Sequence, residues 1–212
     1  MAVDRRSGVA AVAAVLFASL TAVVAARHGA PLAWDRAPHR WAVSGRSPMW
    51  AGLARGVSFT GTGVPPYLLA ALTGVLACPG RPRRWRGAVG GVIALALAEA
   101  VRIGLATALA RPRPPRSDWA TVAGGASFPS GHAATSALVA IGLASALLRY
   151  CRRRATRVLV CAVPALWAAG VGVGRVYLGV HWPTDVLAGW LLATVLGCVL
   201  LRFLTGRSSE GC

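Results

Sequence analysis

"FPSGHAATS", residues 128–136, opens an apolar run that continues to residue 148. It places Pro-Ser-Gly-His, and with it one of only four histidines in the chain, at the mouth of a hydrophobic helix. Ser130 and Gly131 stand where a helix would begin. Its first backbone N–H groups have no partner within the helix, and its dipole favours an anion. Gly131 lets a ligand approach the backbone closely, and His132 is set beside whatever binds there. The fold turns on whether this run, and the others like it, cross a membrane.

Composition answers that question. Of 212 residues, 56% are hydrophobic and 14% charged, too apolar for an ordinary soluble domain. A span needs roughly 20 apolar residues, and six runs qualify, at 9–26, 57–78, 88–110, 132–148, 158–174 and 184–204. All are rich in Ala, Leu, Val and Gly, small residues that allow close helix–helix approach in lipid. The expected fold is all-α, an integral membrane six-transmembrane-helix bundle. It is read as one domain over 1–212, with the chemistry confined to about 57–203.

The charge is +17, from 23 Lys plus Arg against 6 acids, and every one of the 23 is arginine. A nucleic-acid binder gathers such charge on a soluble face. Here it lies in short segments between apolar runs, which fits membrane topology and anionic headgroups and excludes nucleic acid as the expected partner. "RPRRWR" (81–86) and "RYCRRRATR" (149–157), with Arg5, Arg6, Arg202 and Arg207, hold 13 of the arginines. The positive-inside rule puts these segments and both termini in the cytoplasm. The segments at 27–56, 111–131 and 175–183 then face outward, with Trp34, Trp41, Trp50, Trp119 and Trp182 as an interfacial belt. The first run also has the ingredients of a cleaved signal segment, Arg5 and Arg6 ahead of it and "VAA" at 24–26, but a retained span balances the topology. Cys78, Cys151, Cys161, Cys198 and Cys212 form neither a zinc pattern nor a disulfide framework.

Three polar stretches fall on the outward side: "ARPRPPRSDW" (110–119), "FPSGHAATS" (128–136) and "GRVYLGVHWPTD" (174–185). Arg111, Arg113 and Arg175 offer planar donors suited to phosphoryl oxygens. Asp185 lies four residues after His181, with Pro183 tolerable in a first helical turn. A carboxylate that accepts one ring N–H orients an imidazole and raises its basicity, leaving the other nitrogen free to attack phosphorus. Singly, each residue has a plainer reading: headgroup contact for the arginines, a cap for Ser130, a dipole charge for Asp185. Their convergence on one side is what argues for a phosphate site.

Together these stretches resemble the signature of the type 2 phosphatidic acid phosphatase superfamily, whose site is shared with bacterial acid phosphatases and vanadium haloperoxidases. The family pattern is Lys, six residues, Arg-Pro; then Pro-Ser-Gly-His; then Ser-Arg, five residues, His, three residues, Asp. The second part is complete as "PSGH" (129–132), and the third is present from Arg175 through His181 to Asp185. Of the first part, Arg113-Pro114 matches. The resemblance implies that His181 is the nucleophile, forming a phosphohistidine. Asp185 would orient it, and His132 would protonate the leaving group and then activate water. Arg113, Arg175, Ser130 and Gly131 would hold the phosphate. It implies no metal and no cofactor. The implied substrate is a lipid phosphate or diphosphate, such as phosphatidic acid, phosphatidylglycerol phosphate or a polyprenyl diphosphate, met at the outer face of a bacterial-type plasma membrane.

Two positions depart from the pattern. The family lysine falls at Ala106 and the serine before the motif arginine at Gly174. Arg111 is the expected replacement cation, because it sits beside Arg113 at the helix end. Arg102, one turn below Ala106, is the second choice, expected to lean deeper into the membrane toward Glu99. The competing reading is a catalytically impaired family member that binds or organises anionic lipids. His28, His39, Asp35 and Asp118 read as solvated groups of the outer segments, and "SFTGTG" (58–63) as an outer turn near the entrance.

Overall fold

The structure, a computed structural model, describes residues 5–78 and 80–206; Arg207 and Cys212 lie outside them. Its helices are α1 (Arg5–Ala26), α2 (Ala33–Ser44), α3 (Pro48–Thr60), α4 (Val64–Ala77), α5 (Arg81–Leu109), α6 (Gly131–Leu147), α7 (Arg154–Tyr177) and α8 (Pro183–Gly206). No strand occurs among the described residues. Five helices (α1, α5, α6, α7 and α8) are long and apolar enough to cross a membrane. The pair α3 and α4, bent by 47°, is long and apolar enough for a sixth passage when taken as one span.

The second predicted span is therefore not one helix over 57–78. At 14 residues α4 reaches only about 21 Å, short of a hydrocarbon core. Gly63 adopts φ +65 and Pro65 and Pro66 follow at the start of α4, so the chain bends before it re-enters the helix. The segment 27–56, expected to face outward, is itself largely helical, as α2 and most of α3. Two further boundaries move. "RPRRWR" forms the first turns of α5 rather than a loop, and α7 runs on to Tyr177, so Arg175 sits in its last turn.

In lipid no hydrophobic force drives helices together, so packing rests on close approach of small residues. At the α4–α5 crossing, Ala70 and Gly74 face Gly87 and Gly91, and a Cβ on Gly74 would overlap the Gly87 carbonyl. α6 is the central helix, touching α4, α5, α7 and α8. Its Leu138, Val139 and Ala140 pack with Leu95, Ala168 and Ala193. Outward-facing apolar side chains such as Leu16, Leu97 and Leu166 stay more than half exposed, as lipid-facing residues should.

The helix order puts the C-terminal ends of α1, α5 and α7 with the N-terminal ends of α4, α6 and α8. The opposite end holds the arginine clusters. There Arg202 Nη1 donates to Ser7 Oγ at 3.1 Å and Arg149 Nη1 to the Ala77 carbonyl at 2.8 Å. Trp34, Trp41 and Trp50 are exposed on α2 and α3 at the motif end. Trp182 is not part of such a belt: it is 7% exposed, donates from Nε1 to the Pro112 carbonyl at 3.2 Å, and packs on the His39 ring.

Candidate active site

α7 and α8 are joined by a five-residue turn, 178–182, in which Gly179 at φ +75 passes against the Asp118 carbonyl where a Cβ would collide. This turn presents His181. Asp185, in the first turn of α8 and fully buried, accepts from the Trp182 backbone N–H at 2.8 Å and faces His181 Nδ1 at 3.4 Å. On the other side of the ring, Arg113 Nη1 stands 2.9 Å from Nε2. A guanidinium can only donate, so Nε2 is the acceptor and the proton resides on Nδ1. Burial pushes the His181 pKa down to about 4, although the hydrogen bond and charge of Asp185 pull it upward. The imidazole is neutral, with the lone pair of Nε2 toward the motif arginines.

His181 opens onto a cavity of about 570 Å³ at the motif end, lined also by His132, Gly131, Arg102, Arg113 and Arg175. Ser130 is the N-cap residue of α6 but makes no side-chain cap bond. Its hydroxyl is buried without a partner among the described residues. Arg175 donates from Nη1 to Ser58 Oγ at 2.9 Å, while its buried Nε has no partner among them. Buried donors rarely stay unpaired in the working state of a protein. Two of them beside a helix N-terminus and three cations make a site complementary to an oxyanion. Arg113 is more constrained. Its N–H groups go to the carbonyls of Gly124, Gly125, Ala126 and Val180 and to His181. Burial lowers its pKa, with Asp185 opposing and Arg102 adding to the shift.

The structure brings His132, His181, Asp185, Arg113, Arg175, Ser130 and Gly131 together at one end of the bundle. It removes Arg111 from the group. Arg111 is 1% exposed and does not line the cavity. Its Nε donates to the Gly29 carbonyl at 3.2 Å, Nη1 to Thr184 Oγ1 at 2.7 Å and Asp185 Oδ1 at 2.5 Å, and Nη2 to Asp35 Oδ2 at 2.8 Å. The physical reason is charge: two buried carboxylates claim the guanidinium that a phosphate was expected to attract.

Three residues with functional placement escaped the sequence reading. Asp35 is fully buried, not solvated, and also accepts from the Thr184 backbone N–H at 2.9 Å. His39 is buried too, with Nε2 2.9 Å from half-buried Asp118. Ser58 supplies a hydroxyl to Arg175 from α3, where the family serine position is Gly174. The available signal was scarcity: with 6 acids against 23 arginines, an acid near the motif end is a candidate partner for a motif cation. Only His28 is exposed as expected.

The fold is that of a multi-pass membrane protein, with a cavity at one end suited to an oxyanion. The family model described as the PAP2 superfamily matches residues 87–209, and the chain belongs to that superfamily of membrane lipid phosphatases. Decaprenylphosphoryl-5-phosphoribose phosphatase of Mycobacterium tuberculosis is 30% identical over 159 residues, covering 73% of this chain and 80% of that protein. Phosphatidylglycerophosphatase B of Escherichia coli is 41% identical over 87 residues, 40% of this chain and 31% of that protein. The crystal structure of a transmembrane PAP2 type phosphatidylglycerolphosphate phosphatase from Bacillus subtilis shares the fold. It has a TM-score of 0.76, 24% identity, and coverage of 96% of this chain and 97% of that one.

Arg111→Met leaves Asp35 and Asp185 buried without their shared cation. The expected loss is about 3–5 kcal/mol of stability, read by unfolding in detergent; a change within about 0.5 kcal/mol would contradict the assignment. The His181 pKa gives a second expectation. Its folded value of about 4 lies below the ordinary 6.5, so the unfolded chain binds the extra proton between them. The contribution of neutral His181 to stability is complete above pH 6.5 and is lost as pH falls toward 4. Histidine ¹⁵N spectra, assigned by comparison with His181→Asn, should show a neutral, Nδ1-protonated ring from about pH 8 to 5. A titration midpoint near 6.5 would be incompatible with this environment.

Proposed function

We propose that this chain removes phosphate from a lipid-linked phosphate at the outer face of a bacterial-type plasma membrane, through a phosphohistidine on His181 and without a metal ion. The observation that carries the reading is the pairing of His181: Nδ1 toward buried Asp185 and Nε2 toward Arg113 at the cavity. In the first step Nε2 forms a bond to phosphorus as the bond to the leaving oxygen breaks, and His132 gives that oxygen its proton. Asp185 stabilises the imidazolium character that develops on His181. In the second step His132 takes a proton from water, whose oxygen displaces the nitrogen and releases inorganic phosphate. The cations at the cavity meet the charge spread over the equatorial oxygens.

The cavity extends past the motif residues along a wall that mixes Thr62, Tyr67 and Thr107 with Pro66, Ile103 and Val122. It has room for a polar group between the phosphate and the lipid chain. A lipid-linked phosphosugar or phosphoglycerol fits this volume, in keeping with the names of the two relatives. The competing reading, a lipid-binding member without turnover, draws on the methyl group of Ala106 in the cavity wall where the family has lysine.

Purified protein should release inorganic phosphate from at least one of phosphatidic acid, phosphatidylglycerol phosphate, a polyprenyl diphosphate and a polyprenyl-linked phosphosugar, with EDTA present. His181→Ala should lower that rate by about 10⁴-fold or more at matched folded yield. No release from any of them by wild type would favour the binding role, and a His181→Ala rate within tenfold of wild type would remove the nucleophile. The orientation has its own test. On a background without native cysteines, a cysteine at exposed Val122 in the cavity loop should react with an impermeant reagent from outside. Cysteines at Arg84 and Arg153 should not, and the reverse pattern would place the site in the cytoplasm.

A further inference from the structure

We infer that Arg102 is a phosphate-contacting residue of this site and supplies the charge that Ala106 lacks, held in place by Glu99 and Thr135. The inference rests on the phosphatase reading and identifies one of its binding groups. Ala106 and Arg102 lie one turn apart on the same face of α5, and both line the cavity. The guanidinium reaches the start of α6: its Cζ and Nε lie 3.2 and 3.3 Å from where a Cβ on Gly131 would stand. The expected lean toward Glu99 is present, and it still leaves the guanidinium at the start of α6 and in the cavity wall. The glycine of the PSGH step leaves room for this side chain.

Arg102 is also a better placed donor than the arginine of the Arg-Pro step. Arg113 spends its N–H groups on four backbone carbonyls and on His181. Arg102 donates from Nε at 3.1 Å and Nη2 at 3.0 Å to one oxygen, Glu99 Oε2. Its Nη1 has no hydrogen bond among the described residues. The second Glu99 oxygen accepts from Thr135 Oγ1 of α6. A pair serving α5 alone would not need that bridge. The bridge fixes the carboxylate, the carboxylate fixes two nitrogens of the guanidinium, and its Cζ and Nε are held against Gly131 while Nη1 stays free of a hydrogen bond among the described residues. Nearby stand the unpartnered Ser130 hydroxyl and Arg175 Nε. Arg102 and Arg175 line the same cavity as Gly131 and His132.

The test pairs a binding measurement with a rate. Inorganic phosphate is titrated calorimetrically into wild type, Arg102→Ala, the uncharged pair Glu99→Gln/Arg102→Met, and Arg102→Ala/Ala106→Lys. The kcat/KM of lipid phosphate hydrolysis is measured on the same samples. The uncharged pair leaves no lone carboxylate, so it reports on binding even if Arg102→Ala folds poorly. Loss of Arg102 should weaken phosphate binding at least about tenfold and lower kcat/KM by about 10²-fold. The lysine at position 106 should recover at least about tenfold of each. Phosphate affinity and kcat/KM within threefold of wild type in the folded uncharged pair would overturn the inference, as would no recovery in a folded lysine variant. Wild type that binds phosphate through Arg102 but hydrolyses none of the lipids would support the inference while ending the phosphatase reading. Turnover that survives loss of Arg102 would do the opposite.

Discussion

The geometry of the site depends on one buried cation. Arg111 lies between Asp35 and Asp185 with no solvent contact on any of the three side chains. Burying three charges is costly unless each hydrogen-bonding group is satisfied. Here they nearly all are: the guanidinium meets both carboxylates, the Thr184 hydroxyl and the Gly29 carbonyl. Gly29 reaches it because its φ of +76 turns the carbonyl inward, and a Cβ there would press on Pro112. The knot joins α2, the segment after α5 and the first turn of α8. It fixes Asp185, and through it the ring of His181. An arginine that looks like a ligand for substrate instead holds the groups that would act on it.

The same logic of scarce acids runs through the whole end of the bundle. Asp35 takes Arg111, and Asp185 takes Arg111 and His181. Glu99 takes Arg102, and Asp118 takes His39 while its carbonyl receives Arg46 at 2.7 Å. Four of the chain's six acids are thus committed to specific cations or histidines around the cavity. Asp35 does further duty by accepting the Thr184 N–H at the start of α8, a carboxylate at the positive end of a helix dipole. What is left over is positive charge facing the cavity, which a phosphate group would neutralise. For the proposed reaction, such preorganisation would place the counter-charges before the substrate arrives, so that little rearrangement is required during transfer.

Arg113 illustrates how loop and site are coupled. Its bonds to the Gly124, Gly125 and Ala126 carbonyls hold the loop that walls the cavity, and its bond to Val180 holds the turn that carries His181. An anion bound at His181 would compete for the Nη1 donor that now rests on Nε2. Under the proposed mechanism, substrate binding and exposure of the His181 lone pair would be the same event.

Most of the apolar runs and the arginine asymmetry between their ends were legible in the sequence, because hydropathy and loop charge are local properties. So was the pairing of His181 with Asp185, since four residues of helix-start geometry bring them together whatever surrounds them. The PSGH step likewise announces an anion-accepting helix start by itself. Other features came only from the tertiary structure. Arg111 meets Asp35 and Asp185 across separations of more than 70 residues, and Ser58 meets Arg175 across 117. The reach of Arg102 depends on the gap left at Gly131 and on a carboxylate braced by α6. A guanidinium on a long flexible stem can serve several sites within its radius. The choice among them is set by which buried carboxylates the folded chain brings near, and those pairings are long-range consequences of packing.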